Sequence, residues 1–375
     1  MAHGHTSRNG AIPRWAYGLV LVLVLATTAC AETLSSPERI LTTRVLALRS
    51  RVIESQMPDP QDQAVRCEAL PFETVELEPF VVGPEGPVDP TARDPLWIAC
   101  NLQPAQTISS CVAEARPTTL ADIPACPIPS PDEFDPTSSG FSEPPSPCSI
   151  GRGGTVEFTV PVSAGYLIGG DIEITMIAAG ERTSSERCAN GFLADPPAVL
   201  DDCLLATRAL SIGPDGKLIE LARELGVVGI DAPEQIPDAD RNPRIVSFKV
   251  GVIPKGDGNL SELVSVERGS TIHLSEGDIL HAETVASPDD LQTYFIIQDD
   301  GVEAEQERFD GSWFISWGRL ASSSSDDPLS VNEWELAKHP DDDFDRPADN
   351  RAALYYVLRD GRQGVDWWWA YVDLP

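Results

Sequence analysis

The sequence predicts an all-β protein in which two β-sandwich domains are joined by a short helix. Short runs of alternating apolar and polar residues recur along the chain, and Gly, Pro and Asp separate them. Hydrophobic residues make up 42% of the 375 residues, a normal share for a folded protein. The period changes to that of a helix at one place only, near the middle of the chain. This length and this break favour two domains rather than one.

The first domain is predicted to span residues 40–212. Near its end, Ile172, Ile174 and Met176 alternate with Glu173 and Thr175, so the apolar three should face the core and the polar two should face outward. The predicted strands are 40–48, 74–82, 96–100, 155–161, 170–178 and 204–212.

Two insertions interrupt this domain, at 101–154 and at 182–203. Proline fixes φ and removes a hydrogen-bond donor, so regular strands cannot run through 124–131 or 144–147. The first insertion is either a surface loop held by disulfides or a recognition loop, because long ordered loops often carry function.

Residues 213–242 are predicted to connect the domains. Leu218, Leu221 and Leu225 share one face of a helix over 215–226, which Asp215 and Gly226 can cap. The Pro- and Asp-rich stretch 231–242 then serves as an acidic linker.

The second domain is predicted to span residues 243–375. Its last two strands form a hairpin across Asp360 and Gly361, a dipeptide typical of tight turns. Residues 322–327 are predicted to be a polar loop. The predicted strands are 244–250, 261–267, 278–285, 291–298, 302–309, 311–317, 352–358 and 365–372.

The amino-terminal segment has the composition of an export signal. Arg8 and Arg14 precede an apolar run over 15–29. This run is shorter than the roughly 17–25 residues of a spanning helix, and small residues lead from it to Cys30. This end resembles the lipobox of bacterial lipoproteins, although Thr27 replaces the usual Leu. The resemblance implies a signal peptide at 1–29, lipidation of Cys30, a tether at 30–39 and attachment to the outer membrane of the cell envelope. The alternative is ordinary signal cleavage nearby.

Seven cysteines follow Cys30, and an exported chain makes them disulfide candidates. Cys188 and Cys203 are close enough in sequence to predict a local pair. Four others can supply two more disulfides in a connectivity that the sequence leaves open, which makes Cys67 the odd one out. These four are Cys100, Cys111, Cys126 and Cys148.

Trp97 lies three residues before Cys100 on a predicted strand, and this arrangement resembles an immunoglobulin-like sandwich. The chain differs from antibody domains in that the strands at 155–161 and 170–178 carry no cysteine. The signal and the strand order together resemble bacterial lipoproteins with two Ig-like modules and no assigned activity. The resemblance therefore implies two Ig-like β-sandwich domains.

The strong negative charge excludes several partners. The net charge is −32, and removal of Arg8 and Arg14 with the signal leaves 59 acidic against 25 basic residues, a charge of −34. Such a surface repels nucleic acid and anionic headgroups. Membrane contact is therefore expected only through the lipid anchor.

Tryptophans near the carboxyl terminus are candidate ligand-binding aromatics. Trp367 and Trp369 share one face of a strand and Trp368 points to the other, so at least one indole should be exposed or covered by a loop. Trp313 and Trp317 should share a face nearby. Exposed indoles would form a platform for sugar rings, whereas buried ones would be ordinary core residues.

Metal and catalytic motifs give weaker indications. The oxygen-rich acidic runs at 238–240, 299–300 and 341–345 either hold Ca2+ or are ordinary solvated charge runs, and the second is expected because they lack the EF-hand pattern. His273 and His281 can meet across a hairpin as metal ligands, or they are ordinary strand residues. With no C-x-x-C pair, the sequence predicts no zinc site, and no cofactor is expected.

The sequence therefore predicts a non-catalytic binding or structural lipoprotein whose partner is an envelope protein or glycan. A carbohydrate-binding module that uses the tryptophans is the first alternative. A secreted hydrolase with converging carboxylates is the second.

Overall fold

In this computed structural model the described residues are 37–55, 66–101, 119–129, 145–163, 166, 169–194, 202–213, 239–298, 301–336 and 346–374, with only the backbone described at 295–298 and 301–303. Glu38–Pro375 form one compact unit. Strands dominate it, and they assemble into several sheets that are almost wholly antiparallel. The predicted all-β sandwich class is confirmed.

The first sandwich contains eight strands and one α-helix in its described part. Sheet I has the order β1–β2–β3 with β6 also paired to β2, and sheet II has the order β5–β4–β7–β8. The elements are β1 Arg44–Glu54, β2 Thr74–Gly83, β3 Gly86–Pro87, β4 Leu96–Asn101, β5 Cys148–Arg152, β6 Val156–Thr159, β7 Gly170–Ala179, α1 Ser185–Leu193 and β8 Cys203–Ile212, with short 3-10 turns at Pro90–Arg93 and Leu120–Asp122.

Where the structure describes it, the second sandwich contains two five-stranded sheets and a separate hairpin, β13–β14. Sheet III has the order β10–β9–β12–β18–β16, and sheet IV has the order β11–β20–β19–β15–β17. The strands are β9 Ile245–Ile253, β10 Val264–Ser265, β11 Thr271–His273, β12 Ile279–Ala286, β13 Thr293–Gln298, β14 Gly301–Gln306, β15 Asp310–Ile315, β16 Arg319–Leu320, β17 Ser324–Ser325, β18 Leu329–Glu335, β19 Arg351–Arg359 and β20 Val365–Asp373, with a 3-10 turn at Pro288–Asp290. The pairing of β19 with β20 confirms the predicted hairpin.

The four sheets stack in the order II, I, IV, III, with an apolar core in each gap. Core 1 fills the first sandwich and includes Trp97, while core 2 fills the second and includes Trp313. A central core joins sheet I to sheet IV, and its members are Ile40, Leu46, Ala47, Phe80, Val82, Ala353, Tyr355, Val357, Val365 and Trp367. Sheets I and IV are therefore buried on both faces, which explains why β19 is buried at seven consecutive positions.

The second insertion forms α1, which covers the outer face of sheet II. Ser184 caps the helix by accepting a hydrogen bond from the backbone N–H of Arg187, and an outer core lies beneath the helix. Glu173 and Thr175, which were predicted to face outward, are buried because this face is covered. The prediction treated sheet II as solvated on one side, and that was wrong.

Other strand boundaries differ from the prediction. The first strand covers 44–54 rather than 40–48, since residues 38–40 instead pair with Ile315 of sheet IV. The Pro-rich insertion contributes β5, the predicted strand at 261–267 shrinks to β10, and the polar loop at 322–327 contains β17. The alternating strand β18 was missed. The predicted helix at 215–226 lies outside the described residues.

Two disulfides lie in the described part of the chain. Cys188–Cys203 is the pair that sequence proximity predicted, and it ties α1 to β8. Cys126–Cys148 holds the Pro-rich insertion against β5, Cys100 is also disulfide-bonded, and Cys67 is a buried free thiol. Cys30 and Cys111 lie outside the described residues.

Within the residues that the structure describes, there is no helix that combines the length and apolar character needed to cross a membrane.

Candidate functional site

A short backbone pairing forms the polar junction between the two sandwiches. Arg66 and Arg241 form an antiparallel bridge, and the N–H groups of Cys67 and Glu68 both donate to the carbonyl of Asp240, at 2.9 and 3.3 Å. Asp240 belongs to the acidic run that was expected to be solvated and to the predicted linker, yet it is fully buried. The described end of that linker is thus part of the packed interior.

Seven side chains meet at this junction, and we call them the junction cluster. They come from loops of both sandwiches, from β8, from the connection between the sandwiches and from the turn between β19 and β20. The members are Cys67, Glu68, Arg208, Asp240, Glu307, Asp360 and Arg362.

Arg362 is the cationic centre of the junction cluster. Its guanidinium donates to Glu68 at 2.7 Å and to Glu307 at 3.0 Å, and it lies 3.9 Å from a carboxylate oxygen of Asp240. Glu68 also accepts from the backbone N–H of Asp240 at 2.9 Å. One arginine of the second sandwich is therefore held by carboxylates from both sandwiches and from the connection between them.

Asp360 is fixed by its own turn. Its Oδ1 accepts from the backbone N–H groups of Arg362 at 2.9 Å and Gly364 at 3.0 Å, as short acidic side chains do in turns. A side chain at Gly364 would collide with Asp360 and would lie 2.7 Å from the carbonyl of Arg241. Gly364 thus permits the close approach that places the other oxygen of Asp360 inside the cluster.

The centre of the cluster contains carboxylate oxygens to which no N–H or O–H group donates. These are both oxygens of Asp240 and Oδ2 of Asp360, and Asp240 has only a weak hydrogen bond with the Cys67 thiol. The thiol of Cys67, a weak donor, faces them, and one ligand atom from each of the three residues lies within 4.8 Å of the others. Buried acceptors normally have partners, so this arrangement requires an explanation.

Burial shapes the protonation of the cluster. It raises the pKa of Asp240 to about 6 and that of Asp360 to about 6, the latter also through the charge of Asp240. Burial likewise raises the pKa of Glu68 and of Glu307. The pKa of the Cys67 thiol rises well above its usual range through burial and the nearby carboxylates, so this thiol is a poor nucleophile without a bound cation.

Edge strand β1 is capped on its outer side by polar side chains. Three of its backbone carbonyls accept hydrogen bonds from residues of β8, the second sandwich and the connection. The pairs are Arg359 to Leu46 at 2.8 Å, Arg208 to Leu48, and Asn242 to Ser50 at 2.8 Å. A cavity of about 430 Å³ lies beside these contacts, between β1, β8 and the turn at 359–365. Such capping prevents β1 from pairing with another strand.

The candidate tryptophans lie in the cores rather than on a platform. Trp313, Trp317, Trp367 and Trp368 are each at most 4% exposed. Trp368 stacks on Phe248 in core 2, and Trp367 stacks on Phe80 in the central core, with ring centroids 5.0 Å apart. Trp369 is half-buried and also contacts Phe80. The sequence predicted that a loop or solvent would cover one face of this strand. The first sandwich covers that face instead, so the geometry does not favour stacking of these indoles on sugar rings.

The other candidate ligands do not come together. His273 lies on β11 in sheet IV and contacts Asp373, whereas His281 lies on β12 in sheet III beside Glu283. The two histidines therefore do not face each other across a hairpin. Asp238 and the acidic residues at 299–300 and 341–345 lie outside the described residues.

The junction cluster was missed by the sequence analysis because its members are distant in sequence. Glu68 and Asp240 are 172 residues apart, and Glu68 and Arg362 are 294 apart. The one indication of the cluster in the sequence was Cys67, which was predicted to have no disulfide partner. Neither protein-family models nor curated proteins match the chain.

Proposed function

We propose that this protein is an exported lipoprotein that acts without catalysis, as a rigid binding or spacing module of the bacterial cell envelope. The observation that carries the proposal is the continuous four-sheet stack, in which the central core and the junction cluster join the two sandwiches. An interface with its own apolar core and buried ion pairs resists hinge motion, because both would have to be disrupted. A protein whose task is to hold a fixed shape benefits from such a joint.

Export is supported by the cysteine chemistry and by the amino-terminal sequence. Disulfides form in oxidising compartments, and both fully described pairs stabilise the insertions of the first sandwich. The lipobox-like sequence before Cys30 supplies the proposed anchor to the outer membrane.

The polar chemistry favours a non-catalytic role. Asp360 borders the cavity beside β1 but is only 1% exposed, and Glu68, Asp240 and Glu307 are each at most 5% exposed. A hydrolase needs its acids in a cleft that substrate and water can enter. The cluster instead connects structural elements.

The anchor is tested with a Cys30→Ala variant in the producing cells. We expect the unchanged protein to incorporate labelled palmitate and to sediment with membranes, and the variant to do neither, because the thiol is the acylation site. A Cys67→Ala variant is the matched control and should keep label and sedimentation. Label on the Cys30→Ala protein would contradict the proposal.

The binding role is tested by cross-linking in intact cells, capture of the tagged protein and mass spectrometry. We expect one envelope protein to recur above the background of an unrelated lipoprotein. Release of the complex by glycan-degrading enzymes would instead identify an envelope glycan as the partner. Turnover of a substrate by the purified protein would overturn the non-catalytic role.

A further inference from the structure

The junction cluster has more acid than its own cations balance. Four carboxyl groups, those of Glu68, Asp240, Glu307 and Asp360, share the space with two guanidiniums, those of Arg208 and Arg362. Arg362 contacts both Glu68 and Glu307, so its single positive charge is shared between two carboxylates. Asp240, which lies 3.9 Å from Arg362, and Asp360 are held less closely by a cation, and their oxygens accept from no N–H or O–H donor at Oδ1 and Oδ2 of Asp240 and at Oδ2 of Asp360.

Those oxygens form a set of possible metal ligands together with the thiol of Cys67. The sulfur and one oxygen from each aspartate lie within 4.8 Å of one another, and all three residues are at most 1% exposed. Zinc binds sulfur at about 2.3 Å and carboxylate oxygen at about 2.0–2.2 Å with tetrahedral geometry, so two ligands of one ion are roughly 3.3–3.7 Å apart. Side-chain adjustments of up to about 1 Å would bring the set to bonding distance.

We propose that Cys67, Asp240 and Asp360 form a structural zinc site that locks the two sandwiches together. The mixed donor set favours zinc, because calcium and magnesium prefer oxygen ligands and thiolates select softer ions. The ion would neutralise the two uncompensated carboxylates and stabilise the Cys67 thiolate. Since the three ligands come from the first sandwich, the connection and the second sandwich, bound zinc would stabilise the joint.

Three features hold these ligands in place before any ion binds. The Asp360 carboxylate is oriented by two backbone N–H groups of its turn. The backbone of Cys67 is paired with the carbonyl of Asp240, and Ser50 donates to the carbonyl of Cys67 at 2.9 Å. A site with prearranged ligands loses less conformational entropy on binding.

The test uses the full-length lipoprotein, purified from envelopes in detergent, refolded with zinc or with EDTA. We expect about one zinc per chain by plasma mass spectrometry and a higher Tm with zinc than with EDTA or calcium. Asp240→Asn and Asp360→Asn should each weaken zinc binding by more than the roughly 10- to 100-fold seen when an outer-shell partner is lost. Glu173→Gln, which removes a buried carboxylate of the first sandwich, should leave zinc binding unchanged.

Cobalt provides a separate readout of the thiol ligand. We expect the cobalt-loaded protein to show a sulfur-to-metal charge-transfer band that a Cys67→Ser variant lacks. If the variants do not fold, the zinc content and Tm of the unchanged protein still decide the matter. Equal Tm in zinc and EDTA, with no retained metal, would overturn the proposal and leave protons or water as the partners of these oxygens.

Discussion

At the scale of single residues, Asp240 and Asp360 show how burial converts ordinary acids into a special pair. Each is at most 1% exposed, and each keeps an oxygen to which no N–H or O–H group donates. An ionised carboxylate in that position is costly, so the folded protein gains by taking up a proton or a cation there. The pair therefore couples stability to pH.

We expect the protein in EDTA to become more stable as the pH falls from 8 towards 5. The folded pKa values of Asp240 and Asp360 are about 6, above the roughly 3.9 of an unfolded aspartate, so between these values the folded state holds protons that the unfolded state lacks. The stability that these raised pKa values contribute is fully present below about pH 4 and is lost as the pH rises through 6. Urea titrations at several pH values measure this.

The matched control for that profile is Asp240→Asn, which removes one of the two coupled acids. Its unfolding free energy should depend less on pH between 5 and 7. A steeper dependence in the variant would contradict the assignment. Excess zinc should reverse the trend in the unchanged protein, because protons compete with the metal for its ligands.

At the scale of elements, the sequence predicted β19 and β20 as a hairpin, but it did not predict that sheet I covers their second face. The alternation and the Asp360–Gly361 turn correctly indicated the hairpin. The pattern cannot say what covers the second face of a strand, because that depends on a sheet elsewhere in the chain. Phe80 of β2 stacks on Trp367, and Tyr355 of β19 donates to the carbonyl of Gly83 at 2.6 Å.

We expect Trp367→Ala to destabilise the protein by about 3–5 kcal/mol, the usual cost of truncating a large buried aromatic residue. Trp369→Ala is the internal comparison and should cost less, because that indole is half-buried. Chemical denaturation measures both. Equal, small losses would mean that the central core contributes little to stability.

At the scale of the whole molecule, two sandwiches that local patterns present as separate domains form one compact unit. Strand periodicity predicted most strands of both sandwiches, because each strand has its own alternation of apolar and polar residues. The joint has no such local pattern. It depends on contacts such as that of Arg362 with Glu68, made by residues that only the complete fold brings together.

We expect the unchanged protein to unfold in one calorimetric transition. The Arg362→Met variant should unfold in two transitions, one for each sandwich. Losing this guanidinium leaves Glu68 and Glu307 without their cation, and removal of one partner of a buried ion pair typically costs about 3–5 kcal/mol. Arg152→Met is the control, because its pairs with Asp94 and Glu186 are exposed and should be worth at most about 1 kcal/mol. A single transition in Arg362→Met, at the original Tm, would contradict this role of the cluster.

The short pairing of residues 38–40 with Ile315 affects how the molecule responds to tension applied along the chain. Ile40 donates to the carbonyl of Ile315 at 2.8 Å, and Ile315 donates to the carbonyl of Glu38 at 2.9 Å. Tension applied from the amino-terminal side reaches these two bonds before it reaches β1. The second sandwich therefore takes up part of this tension through two backbone hydrogen bonds, although the pulled segment belongs to the first sandwich in sequence.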